Sequence, residues 1–326
     1  MLKRLKTKKN LLAFSAGGDS TALFFMLLEA NIEFDIAIVD YAIREQSKDE
    51  INYAKELAKK YTKRCFIYEA KSIEKNFEAK AREIRYSFFE DLIQTYNYEN
   101  LLTAHHLGDR FEWMLMQFCK GAGCVEIAGM KMVEKRDGYK LIRPLLDMDK
   151  SELLEYLHKK DIKYFEDESN LDESIKRNSF RHNFSNPLLK KYKDGIKKSF
   201  NYLDTDRELL VKELDINVVD EFAYFTNTHN FRTTIYHIDK YIKSKGHLLS
   251  ASEKELLKYQ DTVIVSRRFV INQNEKYIFI TPFIKENTKM DKKFKDNMRV
   301  LKIEPKLRPY LYKNKHIFKL IVDLFV

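Results

Sequence analysis

The sequence predicts an α/β protein with a doubly wound, mainly parallel sheet, followed by a smaller and mostly helical region. From residue 10 to about residue 145, short β-rich runs alternate with amphipathic helices. Strands that alternate with helices are connected by right-handed crossovers, which produce a parallel sheet. Beyond residue 147 the alternation stops and charged helical patterns follow. We therefore expect two domains, at residues 1–190 and 191–326.

The elements of the first domain follow from the period of their apolar residues. Buried β-rich runs predict strands at 10–15, 34–42, 64–70 and 100–104. Helical spacing predicts helices at 20–30, 48–62, 72–97 and 107–120. Ligands of such sheets bind beyond the carboxyl ends of the strands. Ser15, Asp40 and His106 all fall at such ends, so we expect the functional site there.

The second part of the chain has weaker signals. A helix is predicted at 149–161, with Asp149 or Ser151 as its cap. Residues 185–213 have a basic helical pattern. Residues 261–283 alternate in the manner of a β-hairpin that turns near residues 272–274.

Composition restricts the class of protein without naming it. The net charge of +10 fits a polyanionic partner such as nucleic acid, and it equally fits a proteome that is rich in lysine. Three cysteines do not form a disulfide framework, so a reducing cytoplasm is the expected location. No apolar run approaches the length of a membrane span, so we expect no membrane partner.

The stretch "SAGGDS" at residues 15–20 connects the first predicted strand to the first helix. A helix N-terminus attracts anions, and glycines let the backbone approach a phosphate closely. Asp19 would repel a phosphate by itself, so it either holds Mg²⁺ that bridges the phosphates or caps the helix. An ordinary tight turn with capping is the alternative, but the two serines and the aspartate favour a phosphate site.

This loop resembles the S-G-G-x-D-S signature of the PP-loop ATP pyrophosphatase superfamily. Ser15, Gly17, Asp19 and Ser20 match the signature, whereas Ala16 replaces its first glycine and adds a methyl group that we expect to face the phosphates. The resemblance implies ATP and Mg²⁺ as cofactors, with Asp19 on the metal. The implied nucleotide-binding residues are Ser15, Ala16, Gly17, Gly18, Asp19, Ser20, Asp40 and Arg44.

Further blocks, in the same order along the chain, resemble the tRNA(Ile)-lysidine synthetase family. They are "EAKAREIRY" (78–86), "TAHHLGDRFEWMLMQFCKGAG" (103–123), "LIRPLL" (141–146) and "EDESNLDESIKRNSFRHN" (166–183). The resemblance implies that free L-lysine is joined, with ATP, to the wobble cytidine of tRNA(Ile) with a CAU anticodon. The chain departs from the family at Asp40-Tyr41, Gly108, Trp113 and Lys120.

Asp109 and Glu112 are the predicted catalytic acids. They lie three residues apart and share one face of a helix, which suits the ammonium groups of lysine, and either could accept a proton. A solvated helix face is the alternative that the spacing alone would favour. The resemblance implies that His106 contacts the nucleotide or the transition state, and that Asp19 takes part in catalysis.

Arg82 and Arg85 lie three residues apart beside Tyr86, which suits phosphate contacts or a solvated basic stripe. The resemblance adds further substrate-binding residues, namely Lys120, Arg143, Arg177, Asn178 and Arg181. Arg143 could instead pair with an acid. Trp113 is expected in the core rather than against a base.

Two other readings stay open. A PP-loop enzyme that thiolates tRNA would need paired cysteines, and the C-x₄-C spacing of Cys119 and Cys124 argues against it. A non-catalytic homologue that binds tRNA or nucleotide would account for Ala16 and Gly108, although Asp19 is retained. The sequence also leaves a homodimer open.

Overall fold

The computed structural model describes residues 5–41, 46–71, 73, 76–166, 172–285 and 288–325. The chain divides into two compact units, Met1–Thr205 and Asp206–Val326. The domain boundary expected at residue 190 remains a prediction. No helix among the described residues is long and apolar enough to cross a membrane.

The first unit contains a six-stranded sheet. Its strands are β1 (Asn10–Ala13), β2 (Phe34–Asp40), β3 (Cys65–Glu69), β4 (Asn100–Leu102), β5 (Val133–Lys135) and β6 (Lys140–Ile142). They lie in the order β3-β2-β1-β4-β6-β5, and all neighbours are parallel except β5 and β6. This confirms the predicted doubly wound, mainly parallel sheet.

The first unit also contains eight α-helices among the described residues, and the last of them continues past residue 205. They are α1 (Gly18–Glu29), α2 (Gln46–Lys60), α3 (Phe77–Tyr96), α4 (Leu107–Phe118), α5 (Cys124–Ala128), α6 (Lys150–Lys159), α7 (Lys176–Phe180) and α8 (Asn186–Leu210), with a π-helix at Arg181–Ser185. Of the two predicted caps of α6, the structure shows Asp149. Its side chain accepts a hydrogen bond from the Ser151 amide at 3.3 Å.

The central strand shows why both faces of this sheet need helices. Leu11 and Leu12 of β1 are fully buried, and they belong to two different apolar clusters. Because successive strand side chains point to opposite faces, one cluster lies on each side of the sheet. Leu12 packs in the cluster that includes Leu23 and Phe24 of α1, which fixes the start of that helix above the end of β1.

The second unit contains a five-stranded antiparallel sheet. Its strands are β7 (Asn217–Val219), β8 (Phe222–Thr226), β9 (Thr262–Val265), β10 (Phe269–Gln273) and β11 (Tyr277–Pro282), in the order β7-β8-β11-β10-β9. Its helices are α9 (Phe231–Ser244), α10 (Ala251–Tyr259), α11 (Lys292–Val300), α12 (Arg308–Lys313) and α13 (Lys315–Phe325).

The predicted hairpin is confirmed as β10 and β11, but the sheet around it is larger than the sequence indicated. Ile271 and Ile278 pack into one apolar cluster, whereas Val270 and Phe279 pack into another. Both faces of these strands are therefore covered, as in the middle of a sheet rather than in an isolated hairpin. β7, which has three mostly exposed residues, and β8, which has five residues, were not predicted.

Candidate active site

The loop between β1 and α1 is closed by its two serines. The Ser15 amide donates to Ser20 Oγ at 3.2 Å, the two hydroxyls are hydrogen-bonded at 3.1 Å, and Ser20 Oγ donates to the Gly17 carbonyl at 3.1 Å. Gly17 precedes α1 with an extended backbone, and no side chain of the described residues caps this helix. Its N-terminus is therefore open to an anion.

Ala16 adopts a backbone conformation that favours glycine. Its φ is +58°, in the left-handed region, and its side chain is 0% exposed within the core cluster of the first unit. The expectation that its methyl group faces the phosphates is therefore wrong, because this conformation turns the methyl group into the core. The Ala16 carbonyl accepts a hydrogen bond from the Phe165 amide at 3.0 Å.

His106 connects this loop to α4. Its Nδ1 accepts a hydrogen bond from the Gly108 amide at 3.0 Å, so a neutral His106 carries its proton on Nε2. Nε2 lies 3.7 Å from an Asp19 oxygen and 3.7 Å from an Asp109 oxygen. A Cβ at Gly108 would lie only 2.7 Å from Cε1 of His106, so a side chain at residue 108 would displace the imidazole.

Asp109 and Glu112 form an ion-pair cluster with two arginines. Arg177 donates from Nε to Glu112 at 3.0 Å and from Nη2 to Asp109 at 2.8 Å. Arg181 donates from Nε and Nη2 to the two oxygens of Glu112, at 2.6 and 3.1 Å. The Glu112 side chain is 2% exposed. Sequence reasoning predicted these four residues separately, and the structure brings them together.

The electrostatics of this cluster favour charged side chains. Burial raises the pKa of Asp109, but His106, His105 and Arg177 together outweigh it, and the pKa lies well below its ordinary value. Burial lowers the pKa of Arg177, whereas Asp109 and Glu112 raise it further than burial lowers it. Asp109 is therefore suited to hold a cation and poorly suited to accept a proton.

His105 stays neutral beside this cluster. Burial lowers its pKa to about 4, although the charge of Asp109 opposes the change. Its Nδ1 and Thr103 Oγ1 are hydrogen-bonded at 2.9 Å. The charges of Arg143, Arg177 and Arg82 also lower the pKa of His105.

Asp19 has one oxygen that fits a cation. Its Oδ1 is buried and has no hydrogen-bond partner among the described residues. A buried carboxylate oxygen without a partner is costly unless a ligand completes its coordination. The described residues contain no group of three His, Cys, Asp or Glu side chains that could hold a metal. A cation at Asp19 would therefore take its other ligands from phosphate and water.

Asp40, Arg82 and Arg85 are the other predicted nucleotide and phosphate contacts that the structure describes. Asp40 is the last residue of β2, and its carbonyl accepts from the Ala70 amide at 2.7 Å. Arg82 and Arg85 are exposed on α3, and the Arg82 guanidinium lies 4.7 Å from the ring centre of Tyr86. Arg44 lies outside the described residues.

The predicted substrate contacts Lys120, Asn178 and Arg143 differ in how far they are exposed to solvent. Lys120 is exposed just after α4, and the buried Asn178 donates to the Asp172 carbonyl at 3.0 Å. Arg143 is buried and donates to the Lys131 carbonyl at 2.7 Å and to Glu134 at 3.1 Å, which is the acid pairing left open above. Their contacts with a substrate remain predictions.

Trp113 is not in the core, so that expectation is wrong. Its side chain is 44% exposed on α4, and its Nε1 donates to the Glu126 carbonyl at 3.3 Å. Sequence reasoning also missed the hydrogen bond between Phe165 and Ala16, because no local pattern marks a contact between residues so far apart in the chain.

Comparisons with known proteins show the family of the chain. Residues 1–188 match the family model of the PP-loop domain. The tRNA(Ile)-lysidine synthase of Helicobacter pylori is 42% identical over 95% of this chain and 91% of its own length. That of Wolinella succinogenes is 44% identical over 95% of this chain and 94% of its own length. That of Campylobacter jejuni is 43% identical over 97% and 96%, respectively.

A solved structure resembles the chain in fold. The U34-tRNA thiolase NcsA of Methanococcus maripaludis, solved with its [4Fe–4S] cluster, superposes with a TM-score of 0.51 and 16% identity. The match covers 62% of this chain and 76% of that protein. At this identity the likeness shows a shared fold and nothing about the reaction.

Proposed function

The chain belongs to the tRNA(Ile)-lysidine synthase family, and on that premise we propose how its residues join free lysine to tRNA(Ile) at the expense of ATP. The substrate base is the wobble cytidine of a CAU anticodon. The observation that carries the proposal is the convergence of the loop at residues 15–20 with the cluster of Asp109, Glu112, Arg177 and Arg181 at one edge of the sheet.

The reaction needs ATP because the oxygen on carbon 2 of cytosine is a poor leaving group. That oxygen attacks the α-phosphorus of ATP, the bond to the β-phosphate breaks, and pyrophosphate leaves. The ε-amine of lysine then attacks carbon 2, the carbon–oxygen bond breaks, and AMP leaves with the oxygen. The attacking nitrogen loses its proton to a base as the new carbon–nitrogen bond forms.

The loop at residues 15–20 is the proposed phosphate cradle. The open N-terminus of α1 presents backbone N–H groups to the phosphates, and the hydroxyls of Ser15 and Ser20 add donors. Asp19 Oδ1 would hold Mg²⁺, which supplies positive charge against the phosphates as pyrophosphate departs. The Nε2 proton of His106 lies within reach of the same region.

The two acids have different proposed roles. Glu112 gives both of its oxygens to Arg177 and Arg181, so it positions the two guanidinium groups rather than binding lysine. One Asp109 oxygen binds Arg177 at 2.8 Å and lies 3.9 Å from Arg181, and the other accepts a hydrogen bond from the His106 backbone amide at 3.0 Å. Because arginines hold only one of its oxygens, Asp109 is the better contact for an ammonium group of lysine. Its lowered pKa fits this role and disfavours Asp109 as the proton acceptor.

The RNA contacts are proposed from charge and position. Arg82 and Arg85 are exposed on α3, and Lys120 is exposed after α4. Such cations bind the phosphates that flank a base extruded from its stack. Thiolation is disfavoured because it requires paired cysteines, whereas Cys119 and Cys124 have the spacing C-x₄-C, at the end of α4 and the start of α5.

The test is an incorporation assay with ATP, Mg²⁺, radiolabelled lysine and a tRNA(Ile) transcript that bears a CAU anticodon. We expect label in the RNA, release of AMP and pyrophosphate, and no label in a transcript with a GAU anticodon. The Asp19→Asn variant is the matched control, because it removes the charge of the proposed cation ligand and little of its size. A folded wild-type protein that transfers no lysine would contradict the proposal.

A further inference from the structure

Trp113 is the only tryptophan of the chain, and one edge of its indole ring contacts the protein. Its Nε1 donates to the Glu126 carbonyl at 3.3 Å. Its Cδ1 lies 2.8 Å from the place where Gly129 would carry a Cβ, and Gly129 has a φ of +64°. A side chain at residue 129 would push the indole away. The ring is therefore seated against a glycine, while 44% of the side chain stays open to solvent.

Its position on α4 connects Trp113 to the active site. Trp113 follows Asp109 by four residues, so the two side chains share one face of the helix, about 6 Å apart along its axis. His106 caps the start of the same helix, and the exposed Lys120 follows its end.

We propose that Trp113 is a stacking platform for a base of the anticodon loop that lies beside the wobble cytidine, with Lys120 on the adjoining phosphate. The inference rests on the proposed function, because it takes tRNA as the substrate. A cytidine that enters the site leaves its stacked neighbours, and an aromatic side chain restores stacking for one of them. An indole held at one edge loses little freedom when a base covers its face.

The first test uses the fluorescence of the single tryptophan. A short RNA stem-loop with a CAU anticodon should quench Trp113 emission and protect it from acrylamide, because stacking covers the exposed face. Fluorescence anisotropy of the labelled RNA, measured in parallel, shows independently that the RNA is bound. Bound RNA without quenching or protection overturns the proposal. Quenching by ATP alone also overturns it, because the platform would then belong to adenine.

The second test compares variants of two exposed aromatic residues on α4. Stacking of a base on an aromatic side chain predicts that Trp113→Leu raises the KM for tRNA by about 5- to 150-fold. Trp113→Phe keeps a ring and should restore much of this loss. Phe118→Leu is the matched control, since Phe118 is 65% exposed but lies on the opposite face of the helix from Asp109.

The readouts separate stacking from a structural role. If Trp113 served only to hold the Glu126 carbonyl, Trp113→Phe and Trp113→Leu would lower activity equally. The loss would then appear in kcat or in the KM for ATP. An unchanged KM for tRNA in Trp113→Leu refutes the platform even if lysidine forms. If no RNA accepts lysine, the proposed function fails, whereas the quenching measurement still decides whether Trp113 stacks on RNA.

Discussion

Replacing Ala16 by glycine measures the strain in the phosphate loop. A non-glycine residue in the left-handed region, such as Ala16 at φ +58°, costs about 1–2 kcal/mol. The Ala16→Gly variant is relieved of this strain, but it loses the burial of a methyl group, which is worth about 0.8 kcal/mol. It also gives the unfolded chain more freedom, worth about 0.4–1 kcal/mol. The three contributions nearly cancel, so we expect the free energy of unfolding to change by less than about 1 kcal/mol.

A matched alanine shows whether this cancellation is real. Ala22 is also 0% exposed in the same core cluster, but it lies within α1, where alanine is unstrained. Ala22→Gly should therefore cost about 2 kcal/mol, from the lost methyl group and the lower helix propensity of glycine. Urea unfolding followed by Trp113 emission measures both variants. If Ala16→Gly costs as much as Ala22→Gly, the loop is not strained. Lysidine formation by Ala16→Gly should equal or exceed that of the wild type.

Three further substitutions test the cluster. Gly108→Ala places a methyl group against the His106 ring and should lower kcat/KM about 100-fold; an unchanged value would show that the ring position is unimportant. Asp109→Asn should abolish lysine transfer and keep ATP binding, and loss of both would mean that its role is misassigned. The unfolded state protonates His105 near pH 6.5 and the folded state near pH 4, so stability should fall as the pH drops through this window, by less than about 1.4 kcal/mol per unit. His105→Asn should flatten this dependence, and an unchanged slope in urea midpoints would assign it to another group.

Most of the first unit's sheet could be predicted because its strands and helices are long enough to show a period. The apolar run before Ser15 and the helical spacing after it place β1 and α1 within a few residues. In contrast, β5 and β6 have three residues each and include charged residues, so they lack the apolar run that marks the equally short β4. β6 pairs with β4 and β5 pairs with β6, and no local sequence pattern indicates these pairings.

The candidate site could be predicted residue by residue but not as an arrangement. Helical spacing places Asp109 and Glu112 on one face, and the family blocks select Arg177 and Arg181. Their mutual ion pairs join distant parts of the chain, so only the folded backbone shows that each acid already has an arginine. The exposure of Trp113 was missed because the size of an indole favours burial when nothing else is known.

The hydrogen bond from the Phe165 amide to the Ala16 carbonyl makes the phosphate loop observable by isotope exchange. An amide proton held in this way exchanges with deuterium only when the bond opens. The deuterium exchange rate of the Phe165 amide therefore reports how often this hydrogen bond opens. A nucleotide that stiffens the loop slows that rate, and a substitution that loosens the loop raises it, whether or not the protein is turning over.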